Sequence, residues 1–494
     1  MQTLREQPRK FPQPLDRIAI AVMIVLSIVI GIMLLSGDRS APRVRDFTWD
    51  NKQIGADDNA FLLTFSRPMD HGTVENNLRI EPKLPGKVSW AGRRMAYTLD
   101  NPAPYGVNFQ VSLEHAKDRF TKAGNRAAIQ PFKGTFRSRD RMFAYIGAET
   151  DNAGRLVLYN LTRQEKKILT PENLTVMDFK AYPLADKILF SAIERNAKAE
   201  QPLIEQKLYT VTTGIQIDAP QQLDASPDTN LAATSSTEAG QVALVLDNQD
   251  YQNLKFDLSS DGQAIVVQRI SRRDPNDSGP WVIRGDEPAK SLDNKQPGGD
   301  FLITPDGNSL AIAQGQGLAI LPLQPQSEPL DFLPKFGTVM GFSEDGTSAA
   351  MVKFNNDFTR SLFLVTNQGV QKEIFRTPGS ILSAQFDPAK QYLYCLLTNL
   401  IPGETYQEQP YLAAIDLKAA MDGKPPQQTL RPLLLLPNQR ETQVSLSPDG
   451  MAILFDQTQA DERAKAENST GNSILWMLPL SQDPKVKAQP EKLP

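Results

Sequence analysis

The sequence predicts an all-β protein that begins with a transmembrane helix and continues as a small β-sandwich and a β-propeller of about seven blades. Three observations lead to this fold class. An uncharged apolar run lies near the N-terminus, strands of alternating polarity follow it, and from residue 258 onward an apolar residue, an Asp-Gly turn and an apolar strand recur together. Recurrence at a period near 40 residues is typical of a propeller, in which each repeat forms one four-stranded blade.

Length and composition limit the classes of protein to which the chain can belong. Its 494 residues imply two or three domains, and 22% charged with 40% hydrophobic residues is ordinary for a folded protein. The net charge of -4 offers no basic surface for nucleic acid, so no nucleic-acid partner is expected. A single cysteine, Cys395, excludes an intrachain disulfide, and its apolar surroundings predict a buried thiol. The two histidines, His71 and His115, are predicted to be surface residues rather than a catalytic pair.

The apolar run extends from Ile18 to Leu35 without a charged residue. Eighteen residues at about 1.5 Å per residue span roughly 27 Å, close to the hydrocarbon thickness of a bilayer. Residues 18–36 are therefore predicted to be an uncleaved anchor in the lipid bilayer, and the basic residues of the tail 1–17 place that tail in the cytoplasm. The protein would then be a single-pass protein of the inner membrane with its bulk in the periplasm. A buried core helix and a cleaved signal peptide are the alternatives.

A polar tether at 37–58 is predicted to lead into a β-sandwich assigned to residues 44–137. Apolar and polar residues alternate in Phe61-Leu-Leu-Thr-Phe65, as they do in a strand with one buried face. Further short strands with turn residues between them are predicted at 78–82, 86–92, 95–99 and 105–113. Several short strands within about 80 residues are typical of a small sandwich.

Three phrases in this region resemble the bacterial Ig-like domain of S-layer and other envelope proteins. They are Phe-Ser-Arg-Pro-Met-Asp from Phe65, Pro-Gly-Lys-Val-Ser-Trp from Pro85 and Tyr-Gly-Val-Asn-Phe-Gln-Val-Ser-Leu from Tyr105. The resemblance implies an Ig-like sandwich over 44–137 and a bacterial envelope protein. The residues themselves predict a turn at Pro68 and Asp70, with Trp90 in the core.

The repeated phrase carries an Asp-Gly pair in four of its copies. The pairs are Asp261-Gly262, Asp306-Gly307, Asp345-Gly346 and Asp449-Gly450, and the first three aspartates are 45 and 39 residues apart. In such a turn the aspartate side chain accepts backbone N–H groups, and the glycine adopts the positive φ that closes the turn. These eight residues are therefore predicted to be structural residues of blade turns rather than ligands or catalysts.

A strand of the type Leu-Tyr-x-Val follows the repeated turn, and seven such third strands are predicted. They contain Leu156, Leu208, Val282, Leu318, Leu362, Leu412 and Leu475. The pattern resembles the TolB-type propeller repeat, which also occurs in prolyl-oligopeptidase-like enzymes, and this resemblance implies a propeller over 138–482. Seven blades are expected, with six or eight as alternatives. Residues 143–169 provide only part of the first blade, which the preceding segment or the end of the chain would have to complete. A disordered tail is predicted at 483–494.

No motif in the sequence predicts catalysis. There is no Gly-x-Ser-x-Gly string, no histidine follows residue 115, and the acidic loops near Asp247 and Asp274 lack the spacing of calcium ligands. No catalytic, cofactor-binding or metal-binding residue is therefore predicted, and no small-molecule ligand can be identified.

The first functional hypothesis is a membrane-anchored, non-enzymatic binding or scaffold protein of the bacterial envelope that acts through protein–protein interaction on its propeller. Three polar insertions, at 192–206, 271–280 and 457–472, are candidate contacts or plain surface loops. The second hypothesis is an enzyme of the lyase or lactonase kind with a metal in the central channel. A third is a non-catalytic subunit of an envelope complex.

Overall fold

The protein is described by a computed structural model of residues 14–36, 41–56, 58–119, 128–149, 151–195, 205–215, 238–285, 287–292, 299–315, 317–325, 330–403, 406–437, 442–458, 473–480 and 489–493. These residues form one N-terminal helix, two sheets within 44–138 and seven further sheets within 142–492. The predicted insertions at 192–206 and 457–472 and the predicted tail at 483–494 lie partly outside the described residues.

Helix α1 runs over Pro14–Ser36, and its side chains are described from Arg17 to Gly31. A helix needs about 20 apolar residues to cross the roughly 30 Å hydrocarbon core of a bilayer. No helix in the described part of the chain combines that length with the necessary apolarity. The predicted transmembrane anchor at 18–36 is therefore wrong.

Residues 44–138 form a sandwich of two four-stranded sheets. The strand order is β1-β3-β6-β5 in one sheet and β2-β8-β7-β4 in the other. The elements are β1 (Val44–Phe47), β2 (Gln53–Ile54), β3 (Ala60–Phe65), α2 (His71–Asn77), β4 (Leu78–Glu81), β5 (Gly86–Ala91), β6 (Arg94–Leu99), β7 (Asn108–Leu113) and β8 (Phe132–Ser138). Strand β1 begins inside the segment that the sequence assigns to a tether, because Phe47 and Trp49 belong to the core.

The sandwich core forms where the alternating strands turn their apolar faces toward each other. In β3 every second side chain is buried, and Phe61, Leu63 and Phe65 are fully enclosed. Phe47 packs edge-on against Phe61 with ring centroids 5.2 Å apart. The His71 ring stacks on the Trp90 ring with centroids 4.1 Å apart, whereas His115 lies in an exposed turn. The Ig-like character of this sandwich stays a resemblance.

Seven sheets follow, and we call them blades one to seven in chain order. Their strands are, blade by blade, β9 (Met142–Ile146), β10 (Leu156–Asn160) and β11 (Glu165–Ile168); β12 (Leu174–Ala181), β13 (Lys187–Glu194), β14 (Lys207–Thr212) and β15 (Val242–Leu246); β16 (Tyr251–Leu258), β17 (Ala264–Ser271), β18 (Ser278–Arg284) and β19 (Lys290–Ser291); β20 (Phe301–Ile303), β21 (Ser309–Gln314), β22 (Gly317–Pro322) and β23 (Asp331–Leu333); β24 (Thr338–Phe342), β25 (Ser348–Phe354), β26 (Arg360–Thr366) and β27 (Gln371–Thr377); β28 (Ile381–Phe386), β29 (Tyr392–Ile401), β30 (Gln407–Asp416) and β31 (Leu430–Leu435); β32 (Val444–Leu446), β33 (Ala452–Thr458), β34 (Ser473–Pro479) and β35 (Glu491–Lys492). Two short helices, α3 (Leu417–Met421) and α4 (Pro426–Thr429), precede β31.

Within each blade, strands that are neighbours in sequence pair antiparallel, so every blade is a meander. Among the described residues, blade one has three strands and each other blade has four. The seven residues that mark predicted third strands, from Leu156 to Leu475, lie in seven different blades.

The blades form a closed ring, because a separate apolar cluster joins each blade to the next. Six clusters of buried side chains join successive blades from one to seven. A further cluster joins blade seven to blade one through Ala452, Met477, Phe143 and Leu161. Seven meander sheets arranged in a ring, with the last sheet in contact with the first, form a seven-bladed propeller.

The first strands of the blades lie nearest the axis of the ring. Strand β16 contacts β20, β20 contacts β24, and β24 contacts β28, although these strands belong to different blades. Such contacts require the first strands to converge. We therefore call β12, β16, β20, β24, β28 and β32 the inner strands.

An ion pair supports the apolar contact that closes the ring. Arg141, just before β9, places Nη2 2.6 Å from Oδ2 of Asp449 in blade seven. The Asp449 side chain is fully buried and that of Arg141 is 24% exposed. The pair therefore joins the two ends of the propeller across 308 residues of chain.

Candidate functional site

The four Asp-Gly pairs lie in hairpins between the first and second strands of blades three, four, five and seven. At Asp261, Oδ1 accepts the Ser259 hydroxyl at 2.5 Å and the Gln263 N–H at 2.9 Å. Gly262 has φ +70°, and the other three glycines also have positive φ. Each aspartate side chain thus bonds to its own turn, which is the geometry of a structural residue.

The charge of these aspartates is stabilised locally. Burial acts to raise the pKa of Asp345, but hydrogen bonds from Lys390, Ser343 and Thr347 outweigh it and hold that pKa below its usual range. The pKa of Asp306 is also lowered, chiefly by the hydrogen bond from Thr304. The carboxylates of Asp306 and Asp345 are therefore ionised at neutral pH.

The second-to-third hairpins lie on the opposite face of the ring from the Asp-Gly turns, because the strands of each meander run up and down in alternation. The segments 192–206, 271–280 and 457–472 are each flanked by the second and third strands of a blade. We call this face, with its hairpins 272–277 and 355–359 and the strand ends Glu194, Lys207, Ile401, Gln407, Thr458 and Ser473, the insertion face. The fold thus brings to one face the strand ends that flank three segments far apart in sequence.

Phe358 is the most exposed large apolar side chain that the structure describes, at 90% exposure. It lies at the tip of the hairpin between β25 and β26, with φ +62°. A bulky residue rarely adopts this left-handed conformation. The hairpin holds it there: the Phe358 N–H donates to the Asn355 carbonyl at 3.1 Å, and the Asn355 N–H donates to the Thr359 carbonyl at 2.9 Å.

Side-chain bonds further stiffen this hairpin. Asp357 Oδ1 accepts the Thr359 hydroxyl at 2.6 Å, and its other oxygen pairs with Arg376. These bonds lower the pKa of Asp357, and the hydrogen bonds from Thr359 contribute most to that shift. Asn355 Nδ2 donates to the hydroxyls of Thr359 and Ser361 at 3.0 and 2.8 Å. Phe358 is therefore presented to solvent on a rigid support.

Two more aromatic side chains lie exposed beside this hairpin. Phe354, which ends β25, is 59% exposed, and Tyr406, in the corresponding hairpin of blade six, is 71% exposed. Arg360 pairs with Phe354 across the β25–β26 ladder and interacts with the Tyr406 hydroxyl. Tyr406 also donates to Glu408, and this bond is the main reason that the pKa of Tyr406 is raised. The exposed patch thus combines aromatic rings with a polar rim.

A cavity of about 500 Å³ lies between blades two and three. Its most distinctive lining residue is Arg269, whose guanidinium lies 4.7 Å from the ring centroid of Tyr251 and 5.0 Å from that of Trp281. Burial lowers the pKa of Arg269, while Asp247, Tyr251 and Asp250 act against this shift. Arginine nevertheless remains charged at neutral pH.

Hydrogen bonds connect the Arg269 cavity to two of the predicted insertions. Asn253 accepts from Arg269 Nε at 3.1 Å and donates to the Gln206 carbonyl at 2.9 Å. From the other insertion, Arg272 pairs with Glu205 at 2.9 Å. Insertions 192–206 and 271–280 therefore meet at blades two and three.

The charges around the cavity are largely satisfied within the chain. Asp250 pairs with Arg273 at 3.1 Å, and Glu287 pairs with Lys290 at 2.6 Å. No class of ligand follows from this set, although the volume falls within the range of small-molecule sites.

The inner strands carry a few carboxylates near the axis. Burial raises the pKa of Asp178 on β12, against the hydrogen bond from the Phe179 N–H. Asp257 on β16 pairs with Lys180 at 3.3 Å and accepts the Ile303 N–H at 2.9 Å. Within the described ranges, no three Asp, Glu, His or Cys side chains come close enough to hold a metal ion.

Sequence reasoning missed Phe358 and Arg269. An aromatic residue inside the polar turn Asn355-Asn-Asp-Phe-Thr359 is a local signal that could have drawn attention to Phe358. Arg269 lies in an apolar strand, and nothing in the sequence shows which rings enclose it.

No protein-family model matches this chain, and a search of curated proteins found no similar sequence. Among solved structures, an oligogalacturonate lyase from Vibrio parahaemolyticus shares 10% identity at a TM-score of 0.47, covering 69% of this chain and 87% of the lyase. TolB from Acinetobacter baumannii shares 12% identity at a TM-score of 0.37, covering 70% of this chain and 78% of TolB. The similarity concerns the propeller fold, which the seven blades and their clusters show independently.

Proposed function

We propose that this protein is a binding scaffold that docks a partner protein on the insertion face of its propeller, with Phe358 at the centre of the contact. The observation that carries this proposal is the exposure of Phe358 on a rigid hairpin, at 90%. Soluble proteins rarely hold a large aromatic side chain in water on a strained backbone unless it has a role.

Burial of Phe358 would provide much of the binding energy. Removing a phenylalanine side chain from water is worth about 1.5–3 kcal/mol. The hairpin bonds of Asn355 and Asp357 hold the backbone in place before a partner arrives, so little conformational entropy is lost on binding. Contacts of this kind, an aromatic centre with a polar rim, are typical of interface hot spots.

The partner should present a concave apolar surface with hydrogen-bonding groups at its margin. Phe354 and Tyr406 would extend the apolar contact, while Arg360, Arg376 and Glu408 supply charges of both signs around it. The envelope location predicted from the sequence stays a prediction, and docking at Phe358 does not depend on it.

The experiment compares capture of partners by three forms of the full-length protein: wild type, Phe358→Ala and Leu184→Ala. Leu184 is a matched control, because it is an exposed apolar residue (44%) in a first-to-second hairpin on the opposite face. After crosslinking, wild type and Leu184→Ala are expected to retain the same stoichiometric partner. Loss of a hot-spot side chain costs at least about 2 kcal/mol, so Phe358→Ala should bind that purified partner roughly 30-fold more weakly.

Circular dichroism and hydrogen exchange would show that both variants keep the wild-type fold. Equal affinity of Phe358→Ala and Leu184→Ala for the partner would refute a role for Phe358. A partner lost only with Leu184→Ala would place the contact on the other face.

A further inference from the structure

Blade one lacks its inner strand in the part of the chain that the structure describes. Its strands β9, β10 and β11 correspond to the second, third and fourth strands of the other blades. Leu169, directly after β11, packs between blades as Leu436 does directly after the fourth strand β31. Among the described residues, no strand therefore fills the position beside β9, nearest the axis.

The preceding segment cannot fill this position, because the sandwich already uses it. Residues 132–138 form β8, which pairs with β7 on one side and with β2 on the other. The linker is held as well: the Gly106 N–H donates to the Arg139 carbonyl at 2.7 Å, and the Arg139 N–H donates to the Ile54 carbonyl at 2.8 Å. The chain thus passes from the last sandwich strand directly to the second strand of a blade.

The register of β9 shows which backbone groups are left open. The Gly147 N–H donates to the Arg155 carbonyl at 2.8 Å, and the Leu161 N–H donates to the Arg141 carbonyl at 2.8 Å. Because bonding alternates along an antiparallel ladder, Phe143 and Tyr145 also point their backbone groups toward β10. The N–H and C=O groups of Met142, Ala144 and Ile146 point the other way. Among the described residues, none of these six groups has a partner.

Burial supports an open position beside β9. All five residues of β9 are only partly buried. In contrast, most residues of the second strands β13, β17 and β25 are fully buried, because an inner strand covers them. A strand in the inner position of blade one would bury β9 in the same way.

We propose that β9 accepts an extended segment of a partner polypeptide, which completes blade one as its inner strand. This is strand addition to a sheet edge, in which backbone bonds provide affinity and alternate side chains provide specificity. The acceptor length corresponds to about five residues of strand, the length of β9 (Met142–Ile146). The site lies on a different blade from Phe358 and does not depend on docking there.

The surroundings define the chemistry of the accepted segment. Side chains opposite Met142, Ala144 and Ile146 would face blade two, where Leu174 and Val176 are buried in the same cluster. Side chains opposite Phe143 would face the apolar contact with blade seven. The segment should therefore be apolar on both faces at its centre, and it should carry no proline where its N–H groups bond to β9.

Two proline variants test the acceptor edge. Ala144→Pro removes one open N–H and leaves the β9–β10 ladder intact, because the Ala144 N–H does not bond to β10. Ile168→Pro is the matched control on the outer edge of the same blade, since the Leu169 N–H donates to the Leu156 carbonyl at 2.8 Å and the Ile168 N–H therefore points outward.

The probes are six synthetic peptides, each copying one inner strand of this propeller with two flanking residues on either side. Their affinities for the full-length wild type, Ala144→Pro and Ile168→Pro are measured by fluorescence anisotropy. At least one peptide should bind wild type and Ile168→Pro equally and bind Ala144→Pro at least tenfold more weakly. Failure of all six to bind, or equal loss in both variants, would overturn the proposal.

Hydrogen exchange at single-residue resolution provides a second measurement. In the free protein, the amides of Met142, Ala144 and Ile146 should exchange much faster than those of Phe143 and Tyr145, and a bound peptide should slow them. Slow exchange of the three amides without peptide would show that another part of this chain already occupies the position. Protection that rises with protein concentration would show a second copy in the position. Either result would contradict the proposal.

Discussion

The ion pair of Arg141 with Asp449 is expected to control the stability of the ring closure. Among the described residues, the apolar cluster at this closure contains three buried side chains, against sixteen between blades five and six. The closure therefore depends more on polar contacts than the other interfaces do. Arg141→Met removes the cation, keeps the apolar stem of the side chain and leaves the buried carboxylate of Asp449 without a counterion.

Removing one partner of a buried ion pair costs about 3–5 kcal/mol. The lower limit applies here, because Arg141 is 24% exposed and Asp449 keeps hydrogen bonds from the Ser447 hydroxyl at 2.5 Å and the Met451 N–H at 3.0 Å. A loss of about 3 kcal/mol corresponds to roughly a 100-fold faster exchange of amides that open with the closure.

The assay is hydrogen exchange of the full-length protein, resolved to single strands. Amides of β9 and β33 should lose protection in Arg141→Met, whereas amides of β21 and β22 in blade four should keep it. Adding Asp449→Asn to this variant removes the uncompensated charge and should restore part of the protection, since contacting residues are not additive. As a control, Arg273→Met disrupts an exposed pair and should cost at most about 1 kcal/mol. Equal effects of Arg141→Met and Arg273→Met would refute the reasoning.

Three further predictions concern the turns and the single thiol. Asp345→Asn should lower the unfolding midpoint at neutral pH, and this decrease should become smaller as the pH falls below about 4. The folded-state pKa of Asp345 is depressed, so its contribution to stability is present above the unfolded pKa of about 3.9 and is lost on acidification. A constant difference between pH 7 and pH 3 would contradict this sign. Cys395 is buried and its pKa is raised by that burial, so a maleimide should label it only after unfolding; labelling of the native protein would show that the thiol is accessible. Gly262→Ala should destabilise the fold by about 1 kcal/mol more than Gly369→Ala. Both glycines have positive φ, but only at Gly262 would an added Cβ meet Tyr182 and Pro183, each at 3.0 Å. Equal denaturation curves for the two variants would contradict it.

The local features of the propeller could be predicted because their causes are local. An Asp-Gly pair such as Asp261-Gly262 closes its turn through bonds within five residues, so the sequence window contains the whole interaction. Strands such as β3 alternate in burial because neighbouring side chains point to opposite faces of a sheet. The prediction at 18–36 was wrong, because no helix in the described part of the chain is both long enough and apolar enough to cross a membrane.

The functional features depend on which strands pair, and sequence neighbours do not decide this. Residues 132–138 have the composition of a strand, but only their pairing with β7 and β2 shows that they complete the sandwich and are not the inner strand of blade one. The solvent exposure of Phe358 likewise depends on how its hairpin stands on blade five. The sequence thus determines the turns, the alternation and the third strands through short-range bonds. Ring closure at Arg141 and Asp449 and the position beside β9 that no described strand fills depend on contacts between distant residues, which only the tertiary structure brings together.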